Sequence, residues 1–106
     1  MNQIVEVLKA ARNLLSNPDH WIKGTLAKNS EGIAVTPLAD DAVCWCLEGA
    51  IERVAPKFNV APQAIYEEIR KTLRYGLIFS FNDKSYTTHE DVMKVLSDTI
   101  ANVSKE

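Results

Sequence analysis

Apolar residues open the chain at helical spacing. Ile4, Leu8, Ala11 and Leu15 form a stripe that Val5 and Leu14 widen, while Glu6, Lys9 and Arg12 fall elsewhere. The spacing predicts an amphipathic helix over about residues 3–16. Asn17 precedes Pro18, which biases it out of the helical region and ends the helix. Pro18 then opens a short turn at 18–21, with Asn17 as its cap and Asp19 near its positive end, and this turn delivers His20 and Trp21. The helical pattern stops there. In "WIKGTLAKNSEGIAVTP" two short apolar runs flank the turn signal "NSEG". A small hairpin is expected, with strands near 23–28 and 32–36, or an irregular loop with one or two bridges. An isolated hairpin is marginal, so it must pack on the helices.

"PLADDAVCWCLEGAIERVAP" reads as a helix over 41–55, with Asp40 as N-cap and Pro56 closing it. "NVAPQAIYEEIRKTLRYG" reads as another, with Pro62 at its first position and Gly76 as the left-handed residue past its end. Its acidic residues come early and its basic ones late, which suits the helix dipole and allows a Glu67–Lys71 pair. "LIFSF", residues 77–81, is too short and too uniformly apolar for periodicity to separate a helical turn from an extended segment. "NDKSY" is a turn. Thr87 followed by Glu90 matches a capping box, and Val92, Val95, Leu96, Thr99, Ile100 and Val103 give the last helix its apolar face. The expectation is one mainly α domain over residues 1–106. It comprises four main helices, with a small β-hairpin or irregular loop between the first and second.

Composition narrows the function classes. The chain has 106 residues, 46% hydrophobic and 25% charged, which is globular and long enough for one core without staples. A formal charge of −2 argues against nucleic acid as a partner, because such binding needs a basic face to neutralise phosphates. No apolar run approaches the roughly 20 residues of a membrane helix. The N-terminal pattern is interrupted by charges, unlike a signal peptide, so a cytoplasmic location and no membrane partner are expected.

The C-x-C spacing of Cys44 and Cys46 raises the question of a metal or redox site. On a helical wheel over 41–55, Val43, Leu47, Ala50 and Val54 share a narrow arc, with Cys46 and Ile51 on its two flanks. Cys44 then lies roughly 160° from Cys46, too far round for one ion or a disulfide. Metal clusters need about four ligands, and His20 and His89 are the only histidines, so neither metal nor cofactor is expected. Trp45 falls on the back of that wheel beside Glu48, Gly49 and Glu52. It is either covered by a second layer, such as the 21–37 hairpin, or exposed for a partner. Covering is the expectation for a large aromatic. Gly49 would let another backbone approach closely.

Four pieces taken in order carry a resemblance: "WIKG" at 21–24, "AVCWCLEGAI" at 42–51, "FND" at 81–83 and "TTHEDVMKVL" at 87–96. They resemble a family of small uncharacterised bacterial and phage proteins, classed as a domain of unknown function. Its elements are Trp-x-x-Gly, a helix with Cys-x-x-Gly-Ala, then Trp-Asn-Asp and a Thr-capped final helix. Cys46, Gly49 and Ala50 match the second element. Asn82 and Asp83 match the third, where Phe81 stands in place of tryptophan. The resemblance spans residues 18–101. It implies a compact, mostly helical fold and no particular activity.

The candidate chemistry is sparse. Asp83 could serve as a base or hold a cation, yet Asn-Asp pairs are commonly turn residues that bond the local backbone. Thr87 to Glu90 could line an anion site at a helix N-terminus, or simply cap the helix. Arg70, Lys71 and Arg74, with Lys57, form the only basic cluster, readable as a solvated helix end. No nucleophile elbow, phosphate loop or histidine-helix metal motif is present. The leading expectation is therefore a non-enzymatic accessory protein acting through an unidentified protein partner or small ligand. Its expected site gathers Trp21, Trp45, Asn82, Asp83, Thr88 and His89, aromatic walls with convergent polar groups. A small-molecule hydrolase using Asp83 with a histidine is one alternative, and a homodimer formed through helix faces is another.

Overall fold

The computed structural model describes residues 2–74 and 76–105. Five α-helices and one small sheet make up the described chain: α1 (Asn2–Leu14), β1 (Ala27–Asn29), β2 (Ala42–Trp45), α2 (Leu47–Val54), α3 (Pro62–Leu73), α4 (Ile78–Asp83) and α5 (His89–Ser104). Short 3-10 turns lie at Pro18–His20 and Ala55–Phe58.

The expected stripe drives α1. Leu8, Ala11 and Leu15 are fully buried, together with Val7, and pack with Leu96 of α5 and Ile51 of α2 in one core. Asn17 caps the turn after α1 as expected, its side chain accepting from the Asp19 amide at 2.9 Å. The buried positions of α5, Val92, Leu96, Thr99, Ile100 and Val103, are those of its predicted apolar face except Val95, which is partly buried.

The sheet lies between the first two long elements, as expected, but its second strand comes from an unexpected place. β1 pairs antiparallel with β2, placing Ala27 opposite Trp45 and Lys28 opposite Cys44. The "NSEG" turn does form: the Asn29 side chain accepts from the Glu31 and Ile33 amides, both at 3.0 Å. The chain after it returns only as a single bridge, Lys28 to Ala34. The first part of the predicted helix over 41–55 is thus strand. Asp40 does not cap it, and α2 starts at Leu47, with Cys46 as N-cap. The physical reason is that "AVCW" is four residues long and rich in β-formers, so its burial fits a pleat as well as a helix. Pairing with β1 decides between them.

Three smaller corrections follow the same logic. Gly76 is left-handed past α3 as expected, with φ 85°, but the residue that ends the helix is Arg74, itself left-handed with φ 75°; Tyr75, placed inside that helix by its pattern, lies outside the described residues. The ion pair on α3 joins Lys71 to Glu68 at 3.4 Å instead of Glu67. The capping box of α5 uses Thr88 and Asp91, one residue later than expected. Thr87 is buried, and its hydroxyl is committed to Phe81 O at 2.7 Å near the end of α4. Residues 77–81 resolve as mostly helical, and α4 takes in Asn82 and Asp83, which therefore do not belong to a turn.

Candidate functional site

The side chain of Asn82 is the centre of the region that the sequence singled out. It is fully buried. Its Oδ1 accepts from Trp21 Nε1 at 2.6 Å and from the Leu47 amide at 3.0 Å. Its Nδ2 donates to Ile22 O at 3.1 Å and to Asp83 Oδ1 at 2.9 Å. An amide side chain offers two acceptor and two donor positions, and all four are used. The Leu47 N–H is one of the orphan donors of a helix start. Asn82 thus ties the 21–24 segment and the start of α2 to α4. Asp83 extends the tie, its Oδ1 accepting from the Gly24 amide at 3.1 Å, while the residue itself is exposed.

Trp21 also lies against His89, with ring centroids 6.3 Å apart, and Lys23 Nζ sits 5.5 Å from the Trp21 ring. Thr88 caps the helix that His89 opens. The structure therefore gathers Trp21, Asn82, Asp83 and His89, with Thr88 alongside. Trp45 joins them only by its main chain, through a bridge to Trp21 and a bond from the Ile22 amide to Trp45 O at 3.1 Å. Its indole is covered, 5% exposed, and donates to Pro37 O at 3.0 Å. Arg53 stacks on that ring at 5.4 Å and donates to Pro37 O and Ala39 O, which fixes the loop before β2.

The two histidines share one task. His20 Nδ1 lies 3.3 Å from Leu14 O and His89 Nε2 lies 2.6 Å from Leu15 O. Both bond to carbonyls where α1 ends, groups that have no partner within the helix. Neither hydrogen-bonds to Asp83, a hydroxyl or a thiol among the described residues, so the acid–histidine pair of a hydrolase is not formed there. No group of three or more His, Cys, Asp or Glu side chains is placed to hold a metal ion among the described residues. The wheel separation of the cysteines does not apply, because Cys44 lies on a strand. Instead, Cys44 Sγ donates to Lys28 O at 3.8 Å, while Cys46 Sγ accepts from the Gly49 amide at 3.3 Å.

Helix α4 has three faces. Ile78 and Asn82 point into the core. Phe79 and Asp83, one turn apart, line a cavity of about 200 Å³ whose other walls are Gly24, Thr25 and Leu26 on one side and Cys46 and Glu48 on the other. Ser80, Phe81 and the flanking Leu77 and Lys84 line a second depression of about 270 Å³, completed by Leu73, Gly76 and Tyr86. Leu77, Phe79 and Tyr86 are 48%, 50% and 74% exposed. Gly49 sits against the wall of the first cavity: a Cβ there would collide with the Leu26 backbone, the close approach its sequence context foreshadowed.

The first cavity has an acidic lining. Burial pushes the Cys46 thiol up to about 11, against the Gly49 and Glu48 amides that lower it; the charges of Glu48 and Asp83 add to the rise. Cys46 is therefore a neutral thiol at physiological pH. Burial also raises the Glu48 carboxyl, as do the charges of Glu52 and Asp83, while Arg70 opposes them. Tyr66 donates to Glu52 Oε2 at 2.8 Å, and burial followed by that bond raises its phenol. Glu48, Phe79 and residues 24–26 do not stand out in the sequence as site lining. No spacing signal could have joined them, since they come from three elements far apart in the chain.

Over residues 1–102 the chain matches a family of unknown function (DUF6197). No curated protein and no solved structure matches it. No helix among the described residues is long and apolar enough to cross a membrane.

Proposed function

The chain belongs to that family of unknown function, and from its own surface we propose that it is a non-enzymatic accessory protein that binds a protein partner along α4. The observation that carries this reading is the exposure of Leu77, Phe79 and Tyr86 on and beside a six-residue helix with depressions on both flanks. Clustered exposed apolar side chains mark interaction surfaces, whereas single ones do not. Asn82 and Trp21 point the same way, because the bonds that could have recognised a small ligand are spent inside the fold. The partner presents a short apolar segment to the ridge. The cytoplasmic setting and bacterial or phage origin expected from the sequence belong to this reading.

The test is a photo-crosslinking amino acid placed at position 79, with one at Lys9 on α1 as control, in cells that express the protein. Lys9 is exposed, and α1 lines neither depression. A discrete heterologous product from position 79, absent from position 9 and lost when Leu77 and Tyr86 become serine, is the expected result. No product above the control would overturn the reading. A product of twice the chain mass would replace it with homodimerisation.

A further inference from the structure

We propose that the cavity beside Phe79 receives a cationic side chain of the partner, a lysine or arginine flanked by apolar residues. This rests on the reading of α4 as a docking ridge and names the chemistry of its occupant.

The cavity brings together two carboxylates from separate elements, Glu48 in the first turn of α2 and Asp83 at the end of α4. Neither is in a salt bridge among the described residues, where the pairs are Lys71–Glu68 and Lys94–Asp98. Among the described residues Asp83 spends only Oδ1, on the Gly24 amide and Asn82, and its second oxygen has no donor there. Two basic residues adjoin the lining in sequence: Lys23 Nζ donates to Lys84 O at 2.6 Å, over the Trp21 ring, and Lys84 lines the second depression. Arg70 contributes one opposing charge at Glu48.

The walls select what kind of cation enters. Phe79 is half exposed and Leu26 is 36% exposed, so the rim is apolar around an acidic lining. Long basic side chains suit that arrangement, since they lay an aliphatic stem along apolar surface and carry the charge beyond it. The Phe79 ring adds a face for the cation. At about 200 Å³ the cavity is smaller than the roughly 300–1,000 Å³ of small-molecule sites and fits one side chain. Charge complementarity with an apolar rim thus commits the site to a basic-apolar protein segment.

The experiment titrates acetyl-Phe-Lys-Phe-amide and acetyl-Phe-Glu-Phe-amide at millimolar concentration into the ¹⁵N-labelled protein. The expected result is saturable movement of the Gly24, Leu26, Gly49 and Asp83 amides with the lysine peptide and none with the glutamate peptide. Glu48→Gln combined with Asp83→Asn should weaken the lysine peptide at least fivefold. Asp83→Asn keeps the Oδ1 acceptor, and Glu48→Gln alone serves if the pair unfolds. Equal response to both peptides, or unchanged binding by the variant, overturns the inference. If both peptides move only amides around Leu77, Ser80 and Lys84, apolar docking stands and the cation site falls. If neither moves any amide near α4, both fall.

Discussion

Asn82→Ala is the sharpest perturbation, because one side chain makes four bonds at the junction of three elements. Removing it leaves the Leu47 amide without a partner inside a residue that is fully buried. A buried donor stripped of its acceptor costs about 1–3 kcal/mol. The other three partners, Trp21 Nε1, Ile22 O and Asp83 Oδ1, belong to half-buried or exposed residues and can turn to water. Each such exchange costs about 0.5–1 kcal/mol. The sum is about 2.5–6 kcal/mol, a large share of the roughly 5–15 kcal/mol that holds a domain folded. It corresponds to a fall in Tm of roughly 10–30 °C for a chain of this size. Urea and thermal unfolding, followed by circular dichroism, measure it. Asn82→Asp discriminates further: its carboxylate can accept from Trp21 and Leu47 but cannot donate to Ile22 O, and it faces Asp83. It should be no more stable than the alanine variant at neutral pH. A loss below about 1 kcal/mol for Asn82→Ala would refute the reasoning, since it would mean that water or backbone shifts replace all four bonds.

Other outcomes follow from the same geometry. Gly49→Ala should destabilise by more than about 2 kcal/mol in urea unfolding, because the new methyl meets main chain at Leu26, which cannot rotate away. Leu77→Ser with Tyr86→Ser should change stability by less than about 0.5 kcal/mol in the same assay, since both residues are exposed, while abolishing the crosslink from position 79. The Cys46 thiol rises from its ordinary 9.0 to about 11, so the unfolded chain loses that proton first as pH increases. Stability should therefore be intact below pH 9 and fall between about 9 and 11 by about 2–3 kcal/mol, with Tyr66 steepening the loss further up. Cys46→Ser should flatten that slope in equilibrium unfolding across pH 8–11, and an unchanged slope would count against a buried neutral thiol.

The helices were legible where period and punctuation agreed. α1, α3 and α5 have long stripes, with Pro18 and Pro62 at their margins or starts, and each lies close to its expected place. β2 was not legible, because four residues are too few to separate a period of 2 from one of 3.6. Its identity depends on Ala27–Asn29, a partner distant in sequence. The shift from Thr87 to Thr88 at the start of α5 has a similar origin. Both residues stand three before an acid, and the carbonyl of Phe81 decides by claiming Thr87. Trp21, Asn82 and Asp83 were found through their order in the chain, and the structure brings them together. What could not be read was that Asn82 spends its bonds inward, leaving the exposed apolar flanks of α4 as the available surface.

The bonds of Asn82 also set an order of assembly. It reaches back 61 residues to Trp21 and 35 to Leu47. Contacts of such separation carry the loop-closure entropy that slows folding, while helices and the β1–β2 pairing form from nearer neighbours. During synthesis α1, both strands and α2 leave the ribosome before the residue that fastens them. Until α4 emerges, the first amide of α2 and the indole N–H of Trp21 lack their acceptor. The N-terminal half is therefore synthesised before the asparagine that latches it, and α1 gains its packing on α5 later still.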